Sequence, residues 1–273
     1  VIVVGEHPTA LGVSAAPAVA SLCDALEAVS ARLAALMRTI EDPSPPAVGV
    51  WTIGETAAHV SGSGSALLRA LRGGPPERVD DLAAANARAL AGFPERDPRR
   101  LADRLESGDA ELVAHARRIG GDPLTRPFEG VDVPLSAVLS IELGELLVHG
   151  FDIARAAERP WSIEAEHAGL ALRGYLLLLP FLLDRAHAEG VRLALDLRVR
   201  GMVPVLVRVA DGALGVEPAL DQPVDAHISV DPAACLLLVW NRIPPWQPLI
   251  RGQLVVWGRR PWRAGELAGL VVS

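Results

Sequence analysis

Three side chains carry the chemistry that this sequence offers. Glu145 and His149 stand four residues apart in Ile141-Glu142-Leu143-Gly144-Glu145-Leu146-Leu147-Val148-His149-Gly150-Phe151-Asp152. On a helix that spacing stacks a carboxylate and an imidazole on one face. His59 lies far upstream, in a second segment of helical pattern. Two neutral imidazoles and one carboxylate, projecting inward from facing helices, form a ligand set that leaves coordination positions open for water or a substrate atom. The spacing differs from His-Glu-x-x-His, so zincin-type proteolysis is not indicated. Glu142, one turn before Glu145, is placed to support these ligands or to replace one. Asp152 and Arg155 read as a structural pair near the end of the helix.

The elements that must position these residues are helices. Val19, Leu22, Cys23, Leu26, Val29, Leu33 and Leu36 recur at three- and four-residue spacing, predicting an amphipathic helix over 16–40. Glu41-Asp42-Pro43-Ser44-Pro45-Pro46 stops it. Thr52 and Glu55 form a capping-box signature that opens the next helix, running through His59 to about Leu71. Trp51, just ahead of it, reads as a staple against the neighbouring helices. Serines and glycines between Ser61 and Ser65 are poor helix formers, and their small size admits a close neighbour. Further helices are predicted over 80–90 and 97–119, then a loop from Gly120 to Pro134. The helix bearing Glu145 and His149 follows over 135–157. A last one over 163–189 is kinked at Pro180. Residues 1–13 read as a short extended lead-in. Up to Glu189 the sequence reads as helices alone.

After Gly190 the period changes from helical to alternating. Strands are predicted over 191–199, 203–209, 213–216, 224–230 and 249–257, with Asp211-Gly212 as a hairpin turn. Asp231-Pro232 caps a short helix over 233–240, and another helix is expected over 263–270. Helices followed by strands predict two domains, all-α over 1–189 and α+β over 190–273. The tail is rich in arginine and tryptophan. Arg242 and Arg251 are its candidates for clamping a substrate carboxylate. His115, His167, His187 and His227 stand outside any motif and read as surface or structural.

Composition narrows the chemistry. The 273 residues are 50% hydrophobic and 22% charged, a balance that fits a folded globular chain. A net charge of -7 argues against nucleic acid as the main partner. The sequence has no lysine, which excludes Schiff-base catalysis, covalent pyridoxal phosphate and a P-loop. Cys23 and Cys235 sit far apart among apolar neighbours and read as buried free thiols. The longest apolar run, Tyr175 to Leu183, is too short to span a bilayer, and no signal peptide is recognisable. A cytoplasmic protein without membrane contacts is expected. The Ala, Arg, Gly and Pro bias fits a GC-rich genome.

Spacing alone leaves a plainer reading open, in which Glu145 and His149 simply pair and His59 is a satisfied core histidine. The flanking residues decide further. Trp51-Thr52-Ile53-Gly54-Glu55-Thr56-Ala57-Ala58-His59-Val60 resembles the W-[ST]-x-x-E-x-x-x-H-[VL] segment of the DinB-like mycothiol-dependent maleylpyruvate isomerase family. Glu145-Leu146-Leu147-Val148-His149-Gly150-Phe151-Asp152-Ile153-Ala154 resembles that family's E-x-x-x-H-x-x-D-[IL]-A segment. The tail resembles the sterol-carrier-type domain that often follows. The resemblance implies a DinB-like four-helix bundle and then a small sterol-carrier-like α+β domain. It also implies that His59, Glu145 and His149 hold a divalent metal, usually zinc.

It further implies a thiol cosubstrate, mycothiol. A metal-held thiol loses its proton readily, and the thiolate is the form that attacks electrophiles. For a maleylpyruvate-like substrate, the thiolate adds to the cis double bond, the new single bond rotates, and elimination returns the trans isomer. Thiol transfer to another small electrophile needs the same apparatus. Two other readings stand beside it: metal-dependent isomerisation or hydrolysis without a thiol, and a non-catalytic protein binding an apolar ligand in its tail domain.

Overall fold

The computed structural model describes residues 18–76, 82–219 and 221–271; the expected lead-in over 1–13 lies outside them. By their contacts the residues divide into two compact units, one ending at Gly174 and the other beginning at Tyr175. The boundary read from periodicity, between 189 and 190, lies further along the chain. Leu176, Leu179 and Ala188 pack into the apolar core of the second unit, so their partners are strands rather than the preceding helices.

The first unit is built on four long helices: α1 (Val19–Arg38), α2 (Ile53–Leu71), α4 (Pro98–Ile119) and α5 (Leu135–Ala156), with the shorter α3 (Leu82–Ala91) between the second and third. Each of α1 and α2 packs on both α4 and α5, so α4 and α5 face one another across the centre. Leu22, Leu26, Val29, Leu33 and Met37 form the buried stripe of α1, and Leu101, Leu105, Leu112 and Val113 that of α4. α5 is apolar almost all round and buries residues on every face, the pattern of a helix enclosed by others.

Two short hairpins interrupt the helices where only loops were predicted. β1 (Pro46–Val48) pairs with β2 (Trp51–Thr52) just before α2. β3 (Leu124–Phe128) pairs with β4 (Val131–Pro134) just before α5. Both are too short and too rich in proline to show an alternating pattern. α6 (Ala165–Leu178) is shorter than the predicted 163–189 helix. It tightens into a 3-10 turn over Leu179–Leu182, because Pro180 lacks the N–H that would continue the ladder.

The second unit is a five-stranded sheet with short helices. β5 (Leu193–Val199), β6 (Val205–Ala210) and β7 (Ala213–Pro218) form an antiparallel meander. β8 (Ala226–Val230) runs parallel to β5, and β9 (Leu254–Trp257) pairs antiparallel with β8, giving the order β7-β6-β5-β8-β9. The parallel β5–β8 pair makes the sheet mixed. α7 (Pro232–Val239) follows β8, capped by the Asp231 carboxylate. The predicted 249–257 strand is divided between a short α8 (Trp246–Ile250) and β9, and the C-terminal segment Pro261–Gly269 is 3-10. Among the described residues no helix is long and apolar enough to cross a membrane.

Candidate metal centre

The start of α2 is set by its cap. Thr52 Oγ1 accepts the Glu55 N–H at 3.2 Å, while Glu55 Oε2 accepts the Thr52 N–H at 2.8 Å, satisfying two of the otherwise unpaired donors at a helix start. His59 therefore stands on the second turn, with the Trp51 ring tilted against it at 5.1 Å. From α5, Glu145 and His149 project on the same face. Glu145 Oε2 lies 3.2 Å from His59 Nε2 and 3.1 Å from His149 Nε2, and the two imidazoles meet edge to face at 5.0 Å. The ligand atoms of the three residues all fall within 4.8 Å of one another. Ligands about 2.0–2.1 Å from a tetrahedral ion are separated by roughly 3.3 Å. The two separations from Glu145 Oε2 are close to that value, while the three atoms together spread over up to 4.8 Å.

Asp152 fixes the orientation of His149, one helical turn on. Its Oδ2 lies 3.2 Å from His149 Nδ1, and its side chain is fully buried. Asp152 Oδ1 lies 3.8 Å from the Arg155 guanidinium, which also donates to the Ala47 carbonyl in β1. The expected Asp152–Arg155 pair is thus present, but sequence reasoning missed the contact to His149. The signal was available: an acid at i, i+3 from a candidate ligand is within reach of its second ring nitrogen.

The electrostatics follow from these contacts. Burial disfavours charge on His149, but hydrogen bonds to Asp152 and Glu145 outweigh it and the pKa is pushed up to about 9. Burial likewise opposes ionisation of Glu145, yet the bonds from His149 and His59 hold it below the usual carboxylate range. Two carboxylates around one imidazolium leave an excess of negative charge, and the gathered ligand atoms are two nitrogens and an oxygen. That donor set suits a borderline divalent cation such as zinc.

Glu142 is not part of the cluster. Its carboxyl is fully buried and accepts from Ser63 Oγ at 2.7 Å. Arg242 and Arg251 belong to the sheet unit. Arg242 donates to the Trp240 carbonyl at 2.6 Å and stands 5.8 Å from the Trp240 ring, while Arg251 caps the exposed end of α8. Of the motif-free histidines, His227 is the most constrained. Its Nδ1 lies 2.7 Å from Asp196, and its ring stacks on Trp257 at 5.2 Å. Cys23 and Cys235 are free and buried, and burial pushes the Cys235 thiol up to about 12.

Three solved structures match the chain at low sequence identity. One is the mycothiol-dependent maleylpyruvate isomerase, at 16% identity and a TM-score of 0.48, covering 82% of this chain and 90% of that one. A single-residue mutant of that enzyme gives 16% and 0.49, over 80% and 87%. The stereoselective inverting sec-alkylsulfatase from Pseudomonas sp. gives 14% and 0.35, over 68% and 31%. No curated protein matches the chain. The sequence profile of the mycothiol maleylpyruvate isomerase N-terminal domain matches residues 22–154. This span runs from α1 into α5 and contains His59, Glu145 and His149, so the helical part of the chain belongs to that domain family.

Proposed function

We propose that the chain is a metal-dependent, mycothiol-dependent enzyme of the maleylpyruvate isomerase type. In this reading His59, Glu145 and His149 hold one divalent cation, zinc by the borderline character of the two imidazoles beside a carboxylate. The observation that carries it is the convergence of these three ligands from α2 and α5 inside a domain of this family. Bound there, the metal would supply a Lewis acid that lowers the pKa of a thiol. The protein's own residues do the rest. Glu145 brings both imidazoles to one point, Asp152 aims the His149 ring, and Trp51 closes one side of His59. The cysteines support an external thiol, since both are buried and burial raises both thiols, Cys235 to about 12.

The reaction class is addition of that thiol's sulfur to a cis double bond, rotation and elimination, or thiol transfer to a small electrophile. Arg242 and Arg251 are proposed to bind a substrate carboxylate. The same reading makes the helical unit a DinB-like four-helix bundle and the sheet unit sterol-carrier-like, with the boundary between Tyr175 and Gly190. It also places the protein in the cytoplasm, where a thiol cosubstrate stays reduced.

Elemental analysis of the purified protein beside His149→Ala tests the site. One metal per chain, lost in the variant, is expected; a metal-free wild type refutes the reading. Isomerisation of a maleylpyruvate-like substrate is then assayed with and without mycothiol. Equal rates would replace the thiol by metal-activated water or a polarised carbonyl. Arg242→Ala and Arg251→Ala should raise KM for a carboxylate substrate.

A further inference from the structure

The centre of the helical unit contains a second pair of acids that the metal reading does not use. Asp109 of α4 and Glu142 of α5 are buried, at 3% and 0% exposure, and their carboxyls border the same small space beside Gly64 of α2. Each of the four long helices contributes to this layer. α1 brings the Ser30 hydroxyl beside Asp109, and α2 brings Ser63, whose hydroxyl donates to Glu142 Oε1 at 2.7 Å. Gly64 of α2 makes the room. A Cβ there would collide with Asp109 Oδ1 and stand 3.5 Å from Glu142 Oε1.

The donor count is incomplete. Asp109 Oδ2 and Glu142 Oε2 make no hydrogen bond among the described residues, and the Ser30 hydroxyl beside Asp109 makes none either. No arginine or histidine bonds or pairs with either acid there. The other charged group acting on Glu142 is itself an acid, Glu145. Two carboxylates in contact, out of water and without a cation, cannot both remain ionised. A single proton on one of the two carboxyls removes one charge and supplies a donor.

We propose that Asp109 and Glu142 share a single proton at neutral pH, and that this carboxylic acid–carboxylate bond ties α4 to the turn of α5 that precedes Glu145. Glu142 is the acid of the pair. Burial and then the neighbouring Asp109 charge raise its pKa, and the hydrogen bond from Ser63 only partly opposes them. The two residues are therefore a positioning pair, and their bond depends on pH. The folded protein holds a proton that the unfolded chain gives up near the ordinary carboxylate pKa of about 4.3. Stability from the pair is full below that pH and is lost as the pH rises toward the raised folded value.

The inference is independent of metal binding and is tested on the protein without added thiol or substrate. Infrared spectra of the wild type at pH 7 should show the carbonyl stretch of a protonated carboxylic acid, absent from Glu142→Gln. That variant carries a permanent donor. Across the window of the shared proton its Tm should gain on the wild type by about 3–5 °C per pH unit. Metal ligands titrate alike in both proteins and cancel in the comparison. Glu142→Ala should lose the tie at every pH, and Glu142→Gln should restore it. No acid band in the wild type at pH 7, or parallel Tm profiles, overturns the proposal. So does a second metal equivalent lost in Glu142→Gln, which would put a cation where the proton is assigned. The wild-type spectrum decides the matter even where a variant does not fold.

Discussion

Metal uptake at the candidate centre should displace a proton, and the pH dependence of affinity measures it. In the metal-free protein both ring nitrogens of His149 face carboxylates, and its pKa is pushed up to about 9. A metal needs the lone pair that this proton occupies, while Glu145 is already ionised. Below the His149 pKa the apparent association constant should therefore rise about tenfold per pH unit, or about a hundredfold between pH 7 and 9, before levelling. The hundredfold corresponds to about 2.7 kcal/mol.

The same proton contributes to stability. The folded pKa lies above the ordinary 6.5, so the contribution of the metal-free cluster is complete below pH 6.5 and is lost as pH rises through about 9. The loss amounts to about 3 kcal/mol. Chelator-competition titrations at a series of pH values read the first effect. Calorimetry in two buffers of different ionisation enthalpy counts the protons released. A flat affinity profile from pH 7 to 9 with no proton release would show that His149 is neutral before the metal arrives, and the reasoning would fail.

Asp152→Asn keeps the shape beside His149 and removes the charge. The His149 titration, followed by NMR in the metal-free variant, should move down from about 9. Metal affinity, compared above pH 9 where protons no longer compete, should fall ten- to a hundredfold; equal affinities would count against an orienting role. Gly150→Ala drives a methyl into the Trp161 indole and should cost about 1–3 kcal/mol, read as a lowered Tm. Gly169→Ala, inside α6 with open space at its Cβ, should instead gain about 0.5–1 kcal/mol.

The candidate centre was legible because its signals are local. A capping box counts off the position of His59, and an i, i+4 step on one helix aligns Glu145 with His149. That the two segments meet could not be read from spacing, and came from the flanking residues of both motifs. What stayed hidden depends on partners distant in sequence. Asp109 looks like any acid on an amphipathic helix until Glu142 is found across the core from it. Likewise the core role of Leu176 and Leu179 is set by strands that come later in the chain. The hairpins before α2 and α5 were missed because strands of two to five residues show too little alternation to be recognised.

The position of Glu145 Oε2, between His59 Nε2 and His149 Nε2, has a consequence for how the centre fills. The ligands are gathered before any ion arrives, so little side-chain entropy remains to be lost on binding. An incoming cation exchanges with two existing hydrogen bonds instead of drawing together scattered groups. Preorganisation of this kind would favour retention at low free metal, and uptake would require the Glu145 bridge to open.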